Sequence, residues 1–192
     1  MDRRDAVKRV GLMMGGALSA PAISAILNGC TPKPEPLSWQ PSFFSEEQAR
    51  AITDLTDIFL PKTETPGGVE LGIPQFIEEM VSQIYNEDYR TRFMNGFTEF
   101  LGEVKTSEGE DFYALGDDAK VKIVKETNEK SITVPLPPAS ERGFMLLFKE
   151  LMLVGYCTTE VGATEVLQYE AIPQDYKGCI PLSEAGGRTW AT

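Results

Sequence analysis

The sequence predicts an all-α fold: a single helical domain with an irregular C-terminal tail, preceded by a signal segment and a Pro-rich tether. Three observations carry that reading. Apolar residues recur every third or fourth position through successive stretches, the spacing that gathers them on one helix face. Residues suited to helix N-termini stand ahead of those stretches, with Pro- and Gly-rich breaks between them. No stretch alternates apolar and polar residues as a half-buried strand does, and no internal repeat is visible.

The first element is "SEEQARAITDLTDIFLP", residues 45–61. Ser45 and Gln48 occupy capping-box positions, Ile52, Leu55, Ile58 and Phe59 form one face, and Pro61 stops the helix. "KTETPGGVELG", residues 62–72, is a turn-rich loop. Pro74 suits the first turn of a second helix, striped by Phe76, Ile77, Met80, Val81 and Ile84. Asp88 is the expected cap of a third, with Tyr89, Phe93, Phe97, Leu101 and Val104 facing inward as core. After the polar break "TSEGEDFYALGDD", Asp117 or Asp118 caps a helix through about Glu129, with Val121 and Val124 inward. "SITVPLPPAS" is a crossover. Ser140 caps the most apolar helix, whose face is Phe144, Leu147, Phe148, Leu151, Met152 and Gly155. "TTEVGATEVLQY" forms a short helix capped by Thr158 or Thr159, and the chain turns irregular after Tyr169.

The N-terminus reads as targeting rather than fold. Arg3 and Arg4 stand ahead of residues 10–32, which carry no charge; this is the look of a twin-arginine export signal, the route for folded cargo. "LNGC", residues 27–30, resembles a lipobox, so Cys30 is the expected lipidation site and first mature residue; the alternative is an uncleaved anchor. The prolines at 32, 34, 36 and 41 then make a stiff tether. The divisions are 1–29 for the signal segment, 30–44 for the tether and 45–192 for the helical domain.

The 192 residues carry a net charge of −11, which becomes −13 once residues 1–29 are removed. Such a domain repels phosphate backbones, so nucleic acid is not an expected partner. There is no histidine, hence no commonest general base or metal ligand. No Gly-rich nucleotide loop and no C-x-x-C-H haem motif occur. No catalytic, cofactor-binding or metal residue is expected in this chain. The cysteines are Cys30, Cys157 and Cys179. In an oxidising compartment Cys157 and Cys179 would pair, pinning the tail to the most apolar helix for about 3 kcal/mol.

Two blocks of residues carry a family resemblance. "LTDIFLPKTETPGGVELGIPQFIEEMV", residues 55–81, contains Leu60-Pro61, Thr65-Pro66-Gly67 and Gly72-Ile73-Pro74. "LFKELMLVGYCTTEVGATEVLQYEAIPQDYKGC", residues 147–179, contains Gly155-Tyr156, Thr158 to Gly162, Tyr169, Pro173 and Gly178-Cys179, and Trp190 follows. In these the chain resembles the small subunit, subunit 3, of gluconate 2-dehydrogenase-type enzymes. Cys157 departs from the pattern, since the family commonly has an aromatic there.

The resemblance implies a non-catalytic accessory subunit of a periplasmic oxidoreductase complex, held to the membrane by its lipid anchor. FAD would lie in a large subunit of the glucose-methanol-choline (GMC) type and haem c in a cytochrome subunit. The small subunit would bind the flavoprotein and supply its export signal. Candidate partner contacts are Tyr156, Thr158, Glu160, Gly162, Tyr169 and Trp190, although the 155–165 stretch reads equally well as a helix end and a second helix start. The alternative to the Cys157–Cys179 pair is that Cys179 bridges to the partner subunit and Cys157 stays a buried thiol. Glu160, Glu165 and Glu170 read as a solvated face. The rival function is a free-standing lipid-anchored binding protein.

Overall fold

The computed structural model describes residues 37–132, 135–172 and 178–191. These are all-α, with helices α1 (Glu46–Phe59), α2 (Ile73–Glu79), α3 (Glu87–Glu108), α4 (Asp117–Ser131) and α5 (Phe144–Thr158). Single 3-10 turns cover Phe112–Ala114 and Ala139–Glu141, and π-helical turns cover Met80–Ile84 and Gly162–Val166. Arg3, Arg4 and Cys30 lie outside the described residues.

Helix α5 is the centre. Helices α2, α3 and α4 each pack on it, and α1 packs on α2. The reason is compositional: α5 carries only Lys149 and Glu150 as charges, so it has apolar surface to offer on most sides. The core is aromatic. The ring of Phe144 stacks on Phe97 at 4.8 Å and meets Phe93 edge-on at 5.2 Å, with Phe148 at 5.9 Å. Such offset and edge contacts add to the area each ring buries. Gly96 lets α3 approach α5 here, since a Cβ on it would lie 2.8 Å from that of Phe144.

The capping box is present: the Ser45 hydroxyl accepts from Gln48 N–H, and the Gln48 side chain accepts from Ser45 N–H. Other caps shift by a residue or more. Asn86, not Asp88, caps α3, its side chain accepting from Tyr89 N–H at 2.9 Å. Asp88 lies in the first turn, where its charge suits the helix dipole. Gly116 and Gly143 stand at the caps of α4 and α5, with Asp117 and Asp118 inside the first turn and Ser140 in the preceding 3-10 turn. The crossover before α5 is held from α3, where Arg92 donates to the carbonyl of Ala139 at 2.9 Å.

Two expected core residues face out. Ile84 is 67 % exposed: it ends the π-helical turn, whose wider winding rotates it off the α2 stripe. On α4 only Val124 is buried, and Val121 is exposed, because this helix covers the core with a narrow face. Phe100, which the sequence pattern did not select, is buried, and Leu101 packs half-buried against the core. Residues 37–44 are also more than tether: Leu37 and Trp39 pack against the core, and Phe44 is buried in it.

Candidate functional site

The two motif blocks, some ninety residues apart in sequence, meet at one end of the bundle. The loop after α1 folds back on itself through Gly68 N–H, which donates to Leu60 O at 2.9 Å. Lys62 Nζ and Glu70 lie 2.6 Å apart across it, and that hydrogen bond draws the Glu70 carboxyl below its ordinary range. Thr65 and Pro66 bring this loop against the C-terminal half of α5. The Tyr156 hydroxyl lies 3.1 Å from Thr65 Oγ1 and donates to Pro66 O at 3.5 Å. Next to it in the chain, Gly155 sits against Phe76 and Ile73 of α2; a Cβ there would lie 2.7 Å from the Phe76 ring. Gly72, at φ 74°, turns the chain into α2, a conformation glycine adopts without strain.

Beyond Tyr156 the chain makes a tight reversal. Thr159 Oγ1 donates to Tyr156 O at 2.7 Å and accepts from Gly162 N–H at 3.0 Å. It therefore satisfies both the end of α5 and the start of the next turn. Gly162 is obligatory in this geometry, because a Cβ on it would stand 1.9 Å from Tyr156 O. The motif residues are thus largely occupied with one another. Of the expected partner contacts, Tyr156 and Gly162 are buried, while Thr158, Glu160, Tyr169 and Trp190 are exposed. Thr158 turns its hydroxyl back to Val154 O at 2.8 Å.

The segment beyond Gly162 is closed into a loop. Gln168 N–H donates to Thr189 O at 2.9 Å, and Ala191 N–H donates to Gln168 O at 2.8 Å, so Gln168 and Trp190 form a parallel bridge. Arg188 donates to the carbonyl of Glu165. Cys157 is half-buried and Cys179 exposed. Both are free thiols, so the expected crosslink between them is not formed in this structure.

The most concentrated electrostatic feature lies at the other terminus and was missed by sequence reasoning. Glu78 of α2 is only 4 % exposed. Its carboxylate accepts from three successive backbone N–H groups, of Ser42 at 3.0 Å, Phe43 at 2.8 Å and Phe44 at 2.8 Å, and from the Ser42 hydroxyl at 3.2 Å. Burial pushes the carboxyl up, but these donors together outweigh it and hold it below the ordinary glutamate range. The signal was a carboxylate in the apolar run "FIEEMV". Between α1 and α4, Lys120 Nζ meets Asp54 at 2.8 Å. Burial nevertheless keeps the Asp54 carboxyl above its usual range.

Two concave surfaces on the described residues are wide open to solvent. An open groove of about 670 Å³ between α3 and α5 is lined by Arg92, Glu99, Phe100, Glu103, Lys130 and Arg142, among others. Another of about 710 Å³ lies beside Tyr85 and Tyr89, whose rings stack at 3.9 Å. Among the described residues no three or more Cys, Asp and Glu side chains are grouped to hold a metal ion, and no helix is long and apolar enough to cross a membrane.

This geometry defines a class: an all-α module whose buried polar groups hold its own loops and several of whose apolar side chains face outward. A family model for gluconate 2-dehydrogenase subunit 3 matches residues 46–174. The chain belongs to this family, a subunit of a multi-subunit dehydrogenase. Comparison with curated proteins and with solved structures returns no match.

Proposed function

We propose that this chain is the non-catalytic small subunit of a periplasmic FAD-dependent sugar or sugar-acid dehydrogenase, binding a GMC-type flavoprotein and escorting it through the twin-arginine route. The family match over residues 46–174 carries the reading. Arg3 and Arg4 support its export half. A small helical domain has no evident need to fold before export, so the folded cargo includes a partner. FAD and haem c belong to other chains of the complex in this reading, and Cys30 fixes the assembly to the membrane through its acyl chains.

The test is to replace Arg3 and Arg4 by lysine. Both this chain and an FAD-loaded subunit lacking its own signal are then expected in the cytoplasmic fraction, with dehydrogenase activity lost from the periplasm. A flavoprotein that still reaches the periplasm at normal levels refutes the escort role and favours a free-standing lipid-anchored binding protein.

A further inference from the structure

The outer side of α5 departs from the pattern of the rest of the molecule. Leu151 to Cys157 contains no charge, yet Leu153 and Val154 are 50 % and 45 % exposed. A helix apolar on every side is normally enclosed on every side; here the neighbouring helices leave this strip open. The π-helical turn Gly162–Val166 packs back on α5 and ends with Val166 exposed. Beyond it Tyr169, Ile172 and Trp190 also point outward, Ile172 being 80 % exposed.

No described residue after Gly162 is buried. The C-terminal segment therefore has large apolar side chains and no place for them in its own core. It is shaped all the same, by the bridge between Gln168 and Trp190 and by the bond from Arg188 to Glu165 O. A segment pre-shaped by backbone bonds loses less conformational freedom on docking.

Charge selects the occupant. Glu160, Glu165 and Glu170 are exposed next to these side chains along the chain, against Arg188 as the cation among the described residues there, in a chain of net charge −11. An acidic rim repels an anionic lipid surface and favours a protein patch with an apolar centre and basic rim.

We infer that Leu153 and Val154 of α5, together with Val166, Tyr169, Ile172 and Trp190, form one docking surface for the flavoprotein subunit. This rests on the function proposed above. A permanent interface of this kind buries on the order of 2,000 Å² or more, so both the helix strip and the C-terminal segment are needed to supply it.

The experiment co-expresses the full chain, affinity-tagged, with a GMC-type flavoprotein subunit from the same genome that has no export signal of its own, and reads the ratio of bound flavin to tagged chain. Leu153→Asp with Ile172→Asp is the docking variant, and Ile172→Asp alone, at the most exposed of these positions, is a milder form that leaves the fold intact. Val121→Asp with Ile132→Asp, at exposed positions on and just after α4, is the control. The double docking variant is expected to lower the flavin ratio at least about tenfold while melting within a few degrees of wild type. The control keeps the full ratio. Glu165→Lys with Glu170→Lys should weaken capture most at low salt, where rim charges act most strongly.

A docking variant that retains the wild-type flavin ratio overturns the inference and leaves the proposed function standing. Wild-type chain that captures no flavoprotein overturns the proposed function itself. Loss of sedimentation with phosphatidylcholine vesicles, at unchanged flavin ratio, assigns the surface to lipid and also overturns the inference.

Discussion

Replacing Glu78 by alanine tests whether one buried carboxylate fastens the N-terminal segment to the domain. Three backbone donors and a hydroxyl converge on it. The N–H of Phe44 is buried, so orphaning it costs about 1–3 kcal/mol. The N–H groups of Ser42 and Phe43 are only partly buried and regain water, which limits their loss to about 1 kcal/mol each. Glu78→Ala should therefore destabilise the domain by about 3–5 kcal/mol, a fall in Tm of about 10 °C for a domain of this size. Glu78→Gln keeps one acceptor oxygen but turns an amide donor towards Ser42, and should cost about half as much.

The pH dependence has a definite sign. The folded carboxyl lies below its ordinary range, so its contribution is complete above the unfolded pKa of about 4.3. It is lost as pH falls through the lower, folded value. The acid-side decline in stability should flatten in Glu78→Gln. Urea unfolding followed by circular dichroism measures the cost, and limited proteolysis should reveal new cleavage within residues 37–44. A Glu78→Ala domain within about 0.5 kcal/mol of wild type, a change typical of an unimportant surface site, would refute the clamp.

Three further outcomes are expected. Tyr156→Phe removes the hydroxyl shared with Thr65 and should cost about 1 kcal/mol, with faster amide exchange confined to the 62–68 loop. Gly162→Ala forces a Cβ against the Tyr156 carbonyl and should cost about 3 kcal/mol, seen as a lower urea midpoint; an unchanged midpoint would mean that the reversal after α5 is pliable. Cys30→Ser, on the lipoprotein reading, should release the protein from membrane pellets into the soluble periplasmic fraction, and mass spectrometry of the wild-type N-terminus should find an acylated cysteine.

The sequence by itself determined the helical class, the Ser45–Gln48 cap, the stop at Pro61 and most of the α5 face. All of these depend on residues within one or two turns of each other, where periodicity and capping chemistry act directly. It also held both family motifs. Tertiary structure alone decided what those motifs do to one another, because the contact of Tyr156 with Thr65 joins positions 91 residues apart. The same holds for Glu78: its partners lie 34 to 36 residues upstream, and a helical carboxylate in sequence looks alike whether it meets water or backbone N–H groups. Ile84 and Val121 were misplaced for a related reason. Spacing tells which residues share a face, but how wide a face is covered, and where a π-helical turn rotates it, depends on the helices packed alongside.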